Sequence, residues 1–177
     1  ESGSLPALTP AHTDSVASVY GTVNADSVEA CFNQFVEESL NAIEKPVPYI
    51  SLQAYLTPGK QIEESFGQLR TALFTKYGVA VTVGFGPRFL HSTGQLHKGD
   101  AGNGVFIQFT ADMPEDTSVP DNPDSTDSGI SFGILKMAQS LGDREALLGN
   151  NRKVLRIHYH TDPVTGISKL ANSICTA

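Results

Sequence analysis

Tryptophan is absent from the 177 residues, and cysteine and methionine occur only twice each. The thiols, Cys31 within a helical pattern and Cys175 near the end, are too few for a disulfide framework and fit a reducing compartment, so a cytoplasmic protein is expected. No stretch approaches the ~18 apolar residues of a membrane span. The N-terminus also lacks the charged and then apolar segments of a secretion signal, so no membrane partner is expected. Positive charge is scarce: 12 Lys and Arg stand against 19 Asp and Glu, giving a net charge of −7 and a pI of about 5.1. A nucleic-acid partner would meet a repulsive field, although a local basic patch could hold one small anion. Neither a G-x-x-x-x-G-K-[ST] loop nor a G-x-G-x-x-G fingerprint occurs, which leaves ATP and NAD unsupported and no cofactor expected. Gly94 and its neighbours do not make a G-x-S-x-G elbow, and no acid partner is spaced to orient His91, which weighs against a serine hydrolase.

The composition that remains is globular, with 40% hydrophobic and 18% charged residues and a mean hydropathy of −0.13. The length suits one domain. Residues 1–25, rich in Ser, Thr, Ala, Gly and Pro, read as a linker or arm. A start at Glu1 rather than Met suggests a processed chain or a fragment, with further protein upstream. The domain proper is expected over 26–177. Asp26 and Glu29 form a D-x-x-E start signal, after which Val28, Cys31, Phe32, Phe35, Val36 and Leu40 recur at helical spacing. Pro46 and Pro48 end that helix, and the run from Tyr49 to Leu56 reads as a strand. Ile62, Phe66, Leu69 and Leu73 share a face of a second helix, with Gly78 where a left-handed cap is needed. Val79–Val83 reads as a buried strand, Val105–Phe109 as a third, and Val154–His158 as a fourth. Phe132 to Leu147 makes a third helix that must fray or break near Gly142 or Gly149. Between Asp112 and Ser128 lies an acidic loop without Lys or Arg, read as a solvated insertion. Strands alternating with helices of this length imply crossovers, hence an α/β fold: a three-layer α-β-α sandwich around a mostly parallel sheet.

Sites in such sheets gather at the carboxyl ends of strands, where the segment Gly84–Gly99 falls. Arg88, His91, His97 and Lys98 lie there among Ser92, Thr93, Gln95 and several glycines. Arginine offers a rigid fork for phosphate, lysine a mobile charge, and a histidine titrating near neutrality can carry a proton to or from a ring oxygen. Composition alone leaves both a turn-rich structural loop and a ligand site open.

The run GPRFLHSTGQLHKG, residues 86–99, resembles the signature stretch of the isomerase half of bacterial transaldolase/glucose-6-phosphate isomerase fusion proteins. YISLQAYL, GVFIQF, SFGILKMAQSLGDREAL and KVLRIHYH resemble the same family in the same order, over roughly residues 30–160 apart from most of the acidic loop. The chain is also similar to ordinary phosphoglucose isomerases in two places: His91-Ser92-Thr93-Gly94-Gln95-Leu96 resembles their Q-H-[SA]-x-x-Q-L stretch, and Ala138-Gln139-Ser140-Leu141 their A-Q-x-x-A-L helix. It departs from them at Leu90, which stands for their glutamine, in a segment Leu96–Gly99 one residue shorter, and in lacking a G-V-E-x-G-K motif.

The resemblance implies a sugar-isomerase-like (SIS) fold and a role for His91 in opening a hexose-phosphate ring across a dimer interface. Glucose 6-phosphate and fructose 6-phosphate would be the ligands. Arg88, Ser92, Thr93, Gln95 and Lys98 are expected substrate contacts, although Arg88 could equally be a surface charge and Lys98 a solvent-exposed lysine. No glutamate stands out as the enediol base, so the resemblance implies that the base and the phosphate-gripping loop belong to an upstream isomerase domain. A non-catalytic sugar-phosphate-binding module is the main alternative. His158 and His160 share a strand face near Asp162, but strand-end histidines are more often structural than metal ligands.

Overall fold

In the computed structural model, residues 7–122 and 127–176 are described; 1–6, 123–126 and 177 lie outside the described residues, and with them parts of the expected arm, acidic loop and domain. The elements in order are β1 (His12–Thr13), β2 (Ala17–Tyr20), α1 (Val28–Asn41), β3 (Tyr49–Tyr55), α2 (Lys60–Tyr77), β4 (Ala80–Phe85), a 3-10 turn (Arg88–Leu90), α3 (Thr93–Gly99), β5 (Gly104–Ala111), β6 (Ser118–Val119), β7 (Ile130–Ser131), α4 (Phe132–Gly149), β8 (Lys153–Tyr159) and α5 (Pro163–Thr176). The main sheet runs β1-β2-β8-β5-β3-β4. Strands β8, β5, β3 and β4 are parallel, while β2 joins β8 antiparallel and β1 joins β2 antiparallel. The fold is therefore α/β with a mostly parallel sheet between helical layers.

Side chains alternate across this sheet, and its two faces differ in kind. On one face Ile50, Leu52, Ala54, Val105, Ile107, Phe109, Leu155 and Ile157 meet the buried faces of α1, α2 and α5 in one apolar core. The other face carries Ser51, Gln53, Gln108, Thr110 and Arg156, all buried, beneath α4 and α3. Ser27, in extended conformation, caps α1 by accepting from the Ala30 N–H at 3.1 Å, one residue after the expected Asp26. Gly78 takes the left-handed conformation at φ 65° and its N–H bonds to the Phe74 carbonyl, as the pattern required.

Several expectations are corrected. The segment 1–25 is not a free arm from residue 12 onward: β2 pairs with β8, and Ala17 and Val19 are fully buried against α1 and the sheet. β4 is an edge strand with Ala80 and Thr82 not enclosed, rather than a buried one, because the polar face of the sheet opens beside it. The third helix runs unbroken through Gly142 and ends at Gly149, the second of the two glycines expected to stop it, so that expectation holds. The acidic segment is exposed along most of its described length, yet β6 and β7 pair within it and at its end. Asp116 accepts from the Gly133 N–H at 2.8 Å, which ties the ribbon to the start of α4. A final helix, α5, adds to the expected elements. Asp162 caps it through the Val164 and Thr165 N–H groups, with Pro163 at its first position.

Candidate functional site

The polar face is built in rows by the strand register. One row aligns Tyr20, Arg156, Gln108 and Gln53; the next aligns Ser18, His158, Thr110 and Tyr55. Arg156 lies with its guanidinium carbon 3.9 Å from the Tyr20 ring centre, a cation–π contact that helps a buried arginine stay charged. The side-chain carbonyl oxygens of Gln53 and Gln108 are buried without a hydrogen-bond partner among the described residues. Burying such groups is costly, so this face is set for polar contacts rather than for stability.

Two depressions open on it. The first, about 410 Å³, lies between β3, β4 and the segment that follows β4, and is lined by Ser51, Gln53, Arg88, Ser92, Thr93 and His97 among others. Three of the expected contacts, Arg88, Ser92 and Thr93, thus meet in one cleft. The segment carrying them is not an open loop but the 3-10 turn followed by α3. Exposed His91 sits at the junction of the two and exposed Gln95 on α3, and neither belongs to the cleft lining. Lys98 is neither a cleft contact nor a free surface lysine: its ammonium forms an ion pair with Asp143 of α4 at 2.9 Å. Asp143 also accepts from the Tyr55 hydroxyl at 3.3 Å and from Gln108 Nε2 at 3.4 Å.

The histidine that does line the cleft is His97, which is outside the expected set of contacts. It is 5% exposed, with Gln53 Nε2 3.3 Å from its Nδ1 and Ser51 Oγ 3.5 Å from its Nε2. Burial pushes its pKa down, against an opposing pull from Asp143 and Asp100, so the ring is neutral near pH 7. The α3–β5 connection beside it is fastened by Arg152, which pairs with Asp100 at 2.7 Å and donates to the Lys98 and Asp100 carbonyls. Gly86 permits the close passage of this segment over Tyr55, whose ring would lie 2.6 Å from an added Cβ.

The second depression, about 220 Å³, lies at the carboxyl ends of β3, β5 and β8 beneath the start of α4. Tyr55, Thr110, Asp112, Lys136, Met137 and His158 contribute to it. The chain leaves β3 for β4 on one side and returns to β5 on the other, which makes the β3–β5 gap the topological switch point where ligands of open α/β sheets bind. At its rim Asp112 faces both His158 and His160, at 2.9 and 3.1 Å. The expected neighbour, Asp162, is instead occupied in capping α5. No signal in the sequence marks Asp112, because its position beside the histidines depends on the pairing of β5 with β8.

Fold and site together define a three-layer α/β domain with a polar, ligand-accessible sheet face. No protein-family model and no curated protein matches the chain. Among solved structures it is similar to the hypothetical protein TT0462 from Thermus thermophilus, with a TM-score of 0.66 and 13% identity, over 84% of this chain and 38% of that one. That likeness concerns the fold. The chain spans well under half the length of its structural neighbour. Among the described residues no helix is long and apolar enough to cross a membrane.

Proposed function

We propose that this chain is the ring-opening and substrate-enclosing domain of a cytoplasmic aldose–ketose isomerase. It acts on glucose 6-phosphate and fructose 6-phosphate and has a sugar-isomerase-like fold. The observation that carries the reading is the placement of the signature segment: it crosses the mouth of the first cleft, presents Arg88, Ser92 and Thr93 to it, and leaves the His91 imidazole in solvent beside it. Among the described residues of that lining Arg88 is the single cation and no carboxylate accompanies it, which favours an anionic or oxygen-rich ligand. An exposed histidine can serve a cavity that a second subunit or domain completes. The lining also offers no carboxylate base for the enediol step, in keeping with a base supplied by an upstream isomerase domain, whether or not a transaldolase is fused to it.

In this reading His91 moves the ring-oxygen proton as the hexose opens. Neutral His97 and the Gln53 amide hold hydroxyls from below, and Lys98 positions α3 through Asp143 instead of touching substrate. The 177 residues alone should show no turnover of either sugar phosphate in a coupled isomerase assay. In the longer enzyme His91→Ala should lower kcat by ~10²-fold or more, the usual contribution of a general acid or base. Turnover by the isolated chain, or a much smaller loss in the variant, would refute the division of labour. Fructose 6-phosphate binding to the isolated chain without catalysis in the longer one would instead indicate a non-catalytic sugar-phosphate-binding module.

A further inference from the structure

Asp112, His158 and His160 are held by backbone ladders rather than by loops. The Asp112 N–H donates to the Tyr159 carbonyl at 2.9 Å, extending β5 along β8, and the His160 N–H donates to the Val16 carbonyl at 2.8 Å, extending β8 along β2. The side chains consequently converge, with one donor atom from each within 4.8 Å of the others. His158 Nε2 faces one carboxylate oxygen and His160 Nδ1 the other. Each ring is also held from behind: His158 Nδ1 is 2.9 Å from Thr110 Oγ1, and His160 Nε2 is 2.9 Å from Ser18 Oγ. Ser18 Oγ in turn lies 2.7 Å from Thr13 Oγ1.

We propose that these three residues form a binding site for a divalent first-row transition ion, with zinc the best match. Two imidazoles and one carboxylate are borderline donors that suit zinc and its neighbours, whereas calcium and magnesium require mostly oxygen ligands. Ligand atoms around a tetrahedral zinc lie about 3.3 Å apart, given metal–ligand bonds of ~2.0–2.1 Å, so the two short nitrogen–oxygen separations need little adjustment. Loading requires both inward nitrogens to carry lone pairs. The rear protons then point to Thr110 and Ser18, whose oxygens are already in place to accept them, which is the outer-shell support that orients ligating histidines. Three protein ligands leave a fourth position open, and because Asp112 and His158 line the second depression, that position faces it. One carboxylate against a divalent ion leaves a net positive centre there, suited to water or an anionic oxygen.

The test is isothermal titration of the 177-residue chain with zinc chloride, followed by substitution with cobalt(II). One equivalent should bind, and the cobalt form should show the visible bands of a low-coordinate nitrogen–oxygen site. Asp112→Asn and His160→Gln should each abolish saturable binding, and Ser18→Ala should weaken it by about 10–100-fold, the usual cost of losing an outer-shell partner. Far-UV circular dichroism of the metal-free variants verifies folding, and Asp112→Asn and His160→Gln serve as independent checks should one fail to fold. Binding that persists in both variants and disappears in Cys175→Ser, or no binding by the parent chain, overturns the proposal. Neither outcome touches the isomerase reading, which rests on the other cleft.

Discussion

Lys98→Met should destabilise the chain more than Asp143→Asn, although both changes break the same ion pair. The Lys98 side chain is 20% exposed and that of Asp143 only 2%. When Asp143 becomes an amide, the lysine stem can swing its ammonium into water, and the new side-chain oxygen can still accept from Tyr55 or Gln108. That loss resembles one hydrogen bond to a charged group, about 1.5–3 kcal/mol. When Lys98 becomes methionine, a buried carboxylate remains with two neutral donors at 3.3 and 3.4 Å. Stranding one member of a buried pair costs about 3–5 kcal/mol. The double variant should lose little beyond Asp143→Asn alone, so the coupling energy equals nearly the whole Lys98→Met loss, about 3–5 kcal/mol, at or above the upper end of the ~0.5–3 kcal/mol usual for contacting residues. Urea unfolding at pH 7, analysed by linear extrapolation with unchanged m-values, gives all four stabilities. A smaller loss for Lys98→Met than for Asp143→Asn, or losses below ~1 kcal/mol for both, would show that the pair is solvated and Lys98 free for another role.

The pH dependence of stability should carry the signature of His97. Its folded pKa is depressed, chiefly by burial, so below the unfolded value of 6.5 the unfolded chain binds the extra proton and stability falls with acidification. The stability gap between the parent and His97→Gln should therefore narrow as pH drops from about 7 towards 5, by at most ~1.4 kcal/mol per pH unit, and a gap that stays constant in urea titrations would refute a neutral buried ring. Two glycine substitutions should act in opposite directions in thermal unfolding. Gly86→Ala drives a methyl to 2.6 Å from the buried Tyr55 ring and should cost about 1–3 kcal/mol, whereas Gly67→Ala in α2 meets no atom within 4 Å and should gain about 0.4–1 kcal/mol. Equal effects would contradict the packing described for the signature segment.

The helices α1, α2 and α4 and the central strands were legible because their patterns are local. Apolar residues at helical spacing, the prolines after α1 and a glycine at position 78 require no knowledge of distant chain. The final helix carries a signal of the same kind, since Ile167, Leu170, Ala171 and Ile174 share a face behind Asp162 and Pro163. The four residues of β2 carry no such pattern. They become a strand only because β8, far along the chain where Ser18 meets His160, offers an edge to pair with. Short α3 was obscured by its two glycines, a composition that suits turns until packing against the 3-10 turn and α4 stabilises it.

The sequence by itself determined the class of fold and the segment that carries Arg88, His91, Ser92 and Thr93, because periodicity and composition are properties of neighbouring residues. Tertiary structure alone decided that Lys98 turns inward to Asp143, that His97 rather than His91 lines the cleft, and that Asp112 completes the histidine pair. Each of those outcomes depends on strand register and crossover direction, through which the chain brings together residues that no local pattern connects.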